Sequence, residues 1–358
     1  MGQLAHCAGG HSGHGRGRLL TPSGSVTQAP STGRLQRLLG PLYFNGAFWY
    51  RFHFWASNSL PTWFLAAMIR VWGGGFFLAL TDVRRSLRAN LRLVDPKLRW
   101  WAASWRAYKT VHTFSWCVSE RNQQFSKNAQ LEVAIEGREA WEQASRAGRG
   151  VIVVTSHIGG WEIASAVAAA NKDKIPIHVV REREADPLAQ EFMEELLRGQ
   201  GLKTFQTHFA SDDPSLGMEL CAALRRGEIV ALQGDRPRQS GPFEWVDFFG
   251  QEVALPPGPA QLARLAEVSL LPVFTFREGL KRYRIVIRDP IEVARTSDRR
   301  SDVRGAVQAL ARVIEEAIRS HPEQWFCFNR IGHEPGSKKV LNSPEATQTP
   351  AESATSKL

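Results

Sequence analysis

Val151-Ile-Val-Val-Thr-Ser-His157-Ile-Gly-Gly-Trp-Glu162 opens with a run of β-branched residues and closes on a histidine, two glycines and an acid. The run reads as a buried strand, and the apolar stretch Ile163 to Ala170 behind it reads as a helix. Strand, tight turn and helix in that order form the repeating unit of an α/β domain, whose sites gather at the carboxyl ends of the strands. A histidine there, with a carboxylate on the first turn of the next helix, is a way to build a general base. The imidazole accepts a proton near neutral pH, and a carboxylate on its other nitrogen fixes the tautomer and steadies the cation. Residues five apart do not share a helix face, so the pair requires His157 in the turn and Glu162 on the helix. Gly159 and Gly160 leave room for a substrate close to the backbone. Their N–H groups, at a helix start, suit negative charge. The same residues also fit a buried strand-end histidine beside an ordinary first-turn glutamate.

Outward from this stretch the pattern repeats. Strands are expected at Leu131–Glu136, Gly150–Thr155, Ile177–Val180, Ile229–Gln233, Leu270–Arg277 and Tyr283–Ile287. Helices are expected at Gly137–Ala147, Trp161–Ala170, Leu188–Gly199, Leu216–Arg226, Pro259–Glu267 and Asp302–Ser320. The alternation predicts an α/β fold with a mixed, largely parallel sheet flanked by helices over residues 126–332. His157, Arg181 and Asp235 all fall just past strand ends and so converge.

Upstream, residues 34–125 read as a membrane-associated helical segment. Eight of the twelve tryptophans lie between Trp49 and Trp116, interleaved with arginine, as at a membrane–water interface. Leu60–Leu80 is long enough to span a bilayer. It holds Arg70 and Gly73-Gly74-Gly75, which favour a helix lying in the interface or dipping into one leaflet. A buried core helix is the soluble alternative. Arg84, Arg85, Arg88 and Arg92 make a basic face opposite Leu87 and Leu91, with a helical pattern running from Val83 to about Asn122. Residues 1–33 and 333–358 are polar and expected to be disordered, and the first of these lacks the apolar core of a signal peptide.

The 358 residues carry a formal net charge of +10. That suits anionic partners: phospholipid headgroups, nucleic acid or an acidic carrier protein. No nucleic-acid motif is present, and the apolar density is too high for a solvent-facing stacking platform. Four widely spaced cysteines match neither a disulfide framework nor a metal site.

Several further pieces occur in a fixed order. They are Arg88-Ala-Asn90-Leu91, Ser156-His157-Ile-Gly-Gly-Trp161-Glu162, Val180-Arg181 with Asp186-Pro187-Leu188, Gly234-Asp235-Arg236, Pro257-Gly258-Pro259-Ala260 before Leu271-Pro272-Val273-Phe274, and His321-Pro322-Glu323-Gln324-Trp325-Phe326. In these the chain resembles the lauroyl/myristoyl acyltransferases of lipid A biosynthesis and their wider superfamily, from about Leu38 to Ile331. The resemblance implies acyl transfer from a thioester, on acyl carrier protein or coenzyme A, to a hydroxyl of a glycolipid or lipid A precursor. The setting implied is the cytoplasmic face of the bacterial inner membrane, its anionic surface a partner. No cofactor, metal or nucleic acid is implied. His157 is then the general base with Glu162 as its orienting acid. Arg236 is the oxyanion donor, helped by N–H groups near Gly159 and Gly160. Asp235 holds Arg236 or contacts the acceptor, and Arg181 meets an acceptor phosphate. His321 and Glu323 are structural. A non-catalytic lipid-binding protein of the same fold and an acyl-thioester hydrolase are the competing readings.

Overall fold

The computed structural model describes residues 47–126, 131–145, 148–163, 175–183, 186–199, 205–209, 215–236 and 241–331. The two terminal segments and most of the helix expected at Trp161–Ala170 lie outside them.

Four helices come first: α1 (Ala47–Ser59), α2 (Thr62–Ala79), α3 (Thr81–Val94) and α4 (Trp100–Phe125). The first three each pack along α4. The glycine triplet does not interrupt α2. Leu65 and Ile69 of α2 pack on Trp116 of α4, and Leu87 and Leu91 of α3 pack on Ala107. The helix expected from Val83 onward is two helices. Pro96 forces Asp95 into an extended conformation, φ −133° and ψ 93°. The Asp95 carboxylate then accepts from the Lys97 N–H, turning the chain into α4.

The remainder alternates. In order come β1 (Glu132–Glu136), α5 (Arg138–Ser145), β2 (Val151–Thr155), β3 (Ile177–Arg181), α6 (Pro187–Gly199), β4 (Phe205–Phe209), α7 (Leu216–Arg225), β5 (Ile229–Gln233), β6 (Glu244–Phe248), β7 (Gln251–Leu255), α8 (Gly258–Ala266), β8 (Leu270–Gly279), β9 (Arg282–Ile287) and α9 (Arg299–Ser320). Seven strands form one sheet in the order β1-β9-β8-β2-β5-β3-β4. The β8–β9 pair is antiparallel and the other pairings are parallel. This is the mixed, largely parallel α/β sheet expected. Two features were not foreseen: the edge strand β4, and the antiparallel β6–β7 hairpin turned at Phe249 and Gly250, both with positive φ.

Side chains alternate across the sheet. Ile152 and Val154 of β2 and Val230 of β5 point into the main core, with Leu224, Leu310, Ile314 and Ile318 from α7 and α9. Val153 and Thr155 of β2, with Ala231 and Gln233 of β5, point to the opposite side and line a cavity. A buried ion pair ties α4 to the sheet. The Glu120 carboxylate accepts from Arg277 Nε and Nη2 at 2.9 and 2.8 Å, from the Lys281 N–H and from the Tyr283 hydroxyl.

Candidate active site

The turn after β2 is fixed by its neighbours. The Ile158 N–H donates to Ser156 O at 2.7 Å, and the Phe326 N–H donates to His157 O at 2.7 Å. Gly159 has φ +51°, and a Cβ built on it would stand 2.0 Å from the Thr275 carbonyl oxygen. A Cβ on Gly160 would stand 2.5 Å from the Tyr283 ring. These glycines therefore make room for the protein's own strands β8 and β9, which corrects the expectation that they clear space for substrate. The Gly159 N–H donates to Gln324 O at 2.9 Å, so it is not a helper of an oxyanion. Gly159→Ala combines a left-handed backbone with a backbone collision. It is expected to cost well over about 1 kcal/mol of stability, read as a lowered thermal midpoint.

The second wall is the end of β5. Gly234 packs where a Cβ would lie 2.8 Å from Val154 and 3.0 Å from Leu310, and its N–H donates to Thr155 O. This close packing of strand end on core sets Asp235 beneath the histidine. His157 Nδ1 lies 2.8 Å from Asp235 Oδ1, and Arg236 Nη2 lies 2.7 Å from His157 Nε2. An arginine only donates and a carboxylate accepts, so Nδ1 carries the proton and Nε2 holds the lone pair. The Trp325 indole N–H donates to the other Asp235 oxygen at 3.1 Å. Asp235 is fully buried. Burial pushes its carboxyl up, but His157, Arg236 and the Trp325 bond together hold it at about 2. It is therefore an anion across the working pH range.

Glu162 stands elsewhere in the site. Its carboxylate is gripped by Arg121 from α4, and by Arg181 Nη2 at 2.9 Å from the end of β3. Burial disfavours its charge, yet the two guanidiniums keep its carboxyl below the ordinary glutamate range. With both His157 nitrogens engaged by Asp235 and Arg236, the carboxylate on His157 is that of Asp235, 78 residues away in sequence, where Glu162 was expected. Asp235 was expected to hold Arg236 or touch the acceptor; it faces the Arg236 charge and, beyond that expectation, bonds His157. Arg181 lies over the Trp161 ring at 5.7 Å, and Trp161 meets His157 edge to face.

Arg121 and Trp325 belong to this site and were not singled out in the sequence. Trp325 stood inside the quoted His321–Phe326 motif, whose order was the available signal. Its neighbour Gln324 braces β8 through both backbone groups of Arg277. His321 stacks on Phe276 and Glu323 pairs with Arg106. Asn90 is buried and bonds Cys327 O, Asn329 O and the Ile331 N–H, fastening the segment that follows the motif.

Beside the dyad opens a cavity of about 1440 Å³, its walls largely apolar. His157, Arg121, Arg181 and Arg236 lie in its wall with Phe52, Ile69, Phe76, Val118 and Phe326. Cys117 and Cys327 are buried, and burial above all pushes each thiol up to about 12. Neither is a ready nucleophile. Among the described residues no cluster of His, Cys, Asp and Glu is arranged to hold a metal ion.

The profile of the bacterial lipid A biosynthesis acyltransferases matches residues 32–331. The chain belongs to that family. Phosphatidylinositol mannoside acyltransferases of two Mycobacterium tuberculosis strains are 28% and 27% identical over 196 residues, 55% of this chain and 58% of theirs. The matched stretch thus spans little more than half the length of these relatives. The crystal structure of the 1-acyl-sn-glycerophosphate acyltransferase PlsC from Thermotoga maritima aligns over 72% of this chain and 93% of its own, with 16% identity and a TM-score of 0.33.

Proposed function

We propose that this family member is a membrane-associated O-acyltransferase. It moves a fatty acyl group from an acyl thioester, on acyl carrier protein or coenzyme A, to a hydroxyl of a glycolipid or lipid A precursor. Residues 34–125 are its membrane-associated part, at the cytoplasmic face of the inner membrane. One helix, Thr62–Ala79, is long and apolar enough to cross a bilayer by length and composition. The observation that carries the chemistry is the hydrogen-bond order Arg236–His157–Asp235, with the Nε2 lone pair at the wall of an apolar cavity.

An alcohol is a weak nucleophile and needs its proton removed as it attacks. Nε2 takes the acceptor's hydroxyl proton while the oxygen bonds to the thioester carbon. Asp235 steadies the imidazolium that forms. The tetrahedral intermediate collapses by breaking the C–S bond, and the leaving thiolate takes the proton back from Nε2. Arg236 donates to Nε2 in the structure. When the acceptor hydroxyl takes that position, the guanidinium is released beside the carbonyl and serves as the oxyanion donor. Glu162 holds Arg121 and Arg181 in the wall, and the planar guanidinium of Arg181 suits an acceptor phosphate. The apolar cavity takes the fatty chain.

The test is transfer itself. Purified protein is incubated with a radiolabelled fatty acyl group, as its thioester on acyl carrier protein or coenzyme A, and a glycolipid extract. Wild type should yield labelled lipid and His157→Ala none. Free fatty acid alone would assign a hydrolase, and no turnover with either donor would favour lipid binding.

A further inference from the structure

α3 and the first turns of α4 present a surface that the acyl-transfer chemistry does not use. From Thr81 to Lys109 the chain carries eight Lys or Arg against two Asp. Arg84, Arg88 and Arg92 follow one another at helical spacing, with Arg85 alongside. On this stripe Arg85 pairs with Asp82 at 3.5 Å, both ends exposed. Such a pair neutralises little. Burial lowers the pKa of Arg88, and the neighbouring Arg84, Arg92 and Arg85 lower it further.

Tryptophan adjoins the stripe. Trp100, Trp101 and Trp105 are 67%, 54% and 56% exposed, a large outlay of apolar ring in a six-residue span. Arg88 reaches across to Ser104, which sits between the second and third of them. Arg99 lies over Trp101 and Lys109 over Trp105. Arg84 donates to the Phe77 and Leu78 carbonyls and so closes the end of α2. That helix itself exposes Trp63, Val71 and Leu78. The basic stripe therefore begins where an outward-facing apolar helix stops.

We propose that this α3–α4 face docks the enzyme on an anionic bilayer, the tryptophans seated at the headgroup level and the arginines on lipid phosphates. The charge pattern asks for an anionic partner, and the ring cluster asks for one with an apolar layer beneath its charge. The protein's own N-terminal segment is no substitute, because residues 1–46 contain four arginines and no acid. An acidic carrier protein would use the arginines and leave the three rings in water. The inference deepens the proposed function and rests on it, in taking residues 34–125 as the membrane-associated part and the substrate as a membrane lipid.

The experiment is flotation of the full chain with phosphatidylcholine vesicles, with or without about one third phosphatidylglycerol. Wild type should prefer the anionic vesicles by about tenfold or more at low salt, and the preference should shrink as salt rises. Arg85→Gln/Arg92→Gln should lose most of that preference. Trp100→Ser/Trp101→Ser/Trp105→Ser should weaken binding to both compositions. Acyl transfer in detergent micelles should be unchanged in both variants, so docking and catalysis are read separately. An arginine variant that keeps the preference, or a tryptophan variant that floats like wild type, overturns the proposal. So does an arginine variant that floats normally but no longer binds acyl carrier protein, which would give the face to the donor.

Discussion

Asp235→Asn is expected to lower kcat for acyl transfer by about a thousandfold to ten-thousandfold while the fold persists. The amide keeps the shape of the carboxylate, so Trp325 retains an acceptor. Two things are lost. The charge that steadies the imidazolium disappears from a fully buried position 2.8 Å away. The Nδ1-protonated tautomer is no longer enforced, because an amide can also present an N–H to that nitrogen. Glu162→Gln should behave differently. It leaves Asp235 on His157 and loosens Arg121 and Arg181, so a loss of roughly tenfold is expected, mainly in KM for the acceptor. Steady-state kinetics of the two variants separate these outcomes.

Glu120→Ala should produce the largest loss of stability, about 3–5 kcal/mol. The side chain is 1% exposed and accepts from Arg277, Lys281 and Tyr283. Its removal leaves the Arg277 charge, only 14% exposed, without its carboxylate. Tyr283 packs under Gly160, so the damage should reach the turn carrying His157 and lower activity too. The double variant Glu120→Leu/Arg277→Met removes both charges together and should recover much of the loss. Denaturant unfolding of the single and double variants measures this.

The sheet was legible where apolar runs were long and bounded by glycine or proline, as at β2, β5 and β8. It was not legible at β4, whose residues Gln206, Thr207 and His208 are those of an edge strand and carry no buried pattern. The β6–β7 hairpin was hidden because Phe249, a poor candidate for positive φ, adopts it beside Gly250. Within the site, local spacing put His157, Arg181 and Asp235 at one edge of the sheet, and the strand order brings His157 and Asp235 into contact. The choice of partner was not readable. Glu162 is five residues from His157, but proximity in sequence does not say which way a helix turns its first carboxylate. That direction is decided by Arg121, which arrives from α4 and draws Glu162 away. The tertiary packing of the motif around Trp325 was equally out of reach, since nothing local marks an indole as the second partner of a buried acid.

A double-mutant cycle tests the His157–Asp235 pairing most directly. Acyl-transfer rates would be measured for His157→Gln, Asp235→Asn and the two combined, with Glu162→Gln in place of Asp235→Asn as the parallel cycle. If Asp235 acts through His157, the combined variant is no slower than His157→Gln alone. Losses that multiply in the Asp235 cycle and merge in the Glu162 cycle would contradict the pairing and return the orienting role to Glu162.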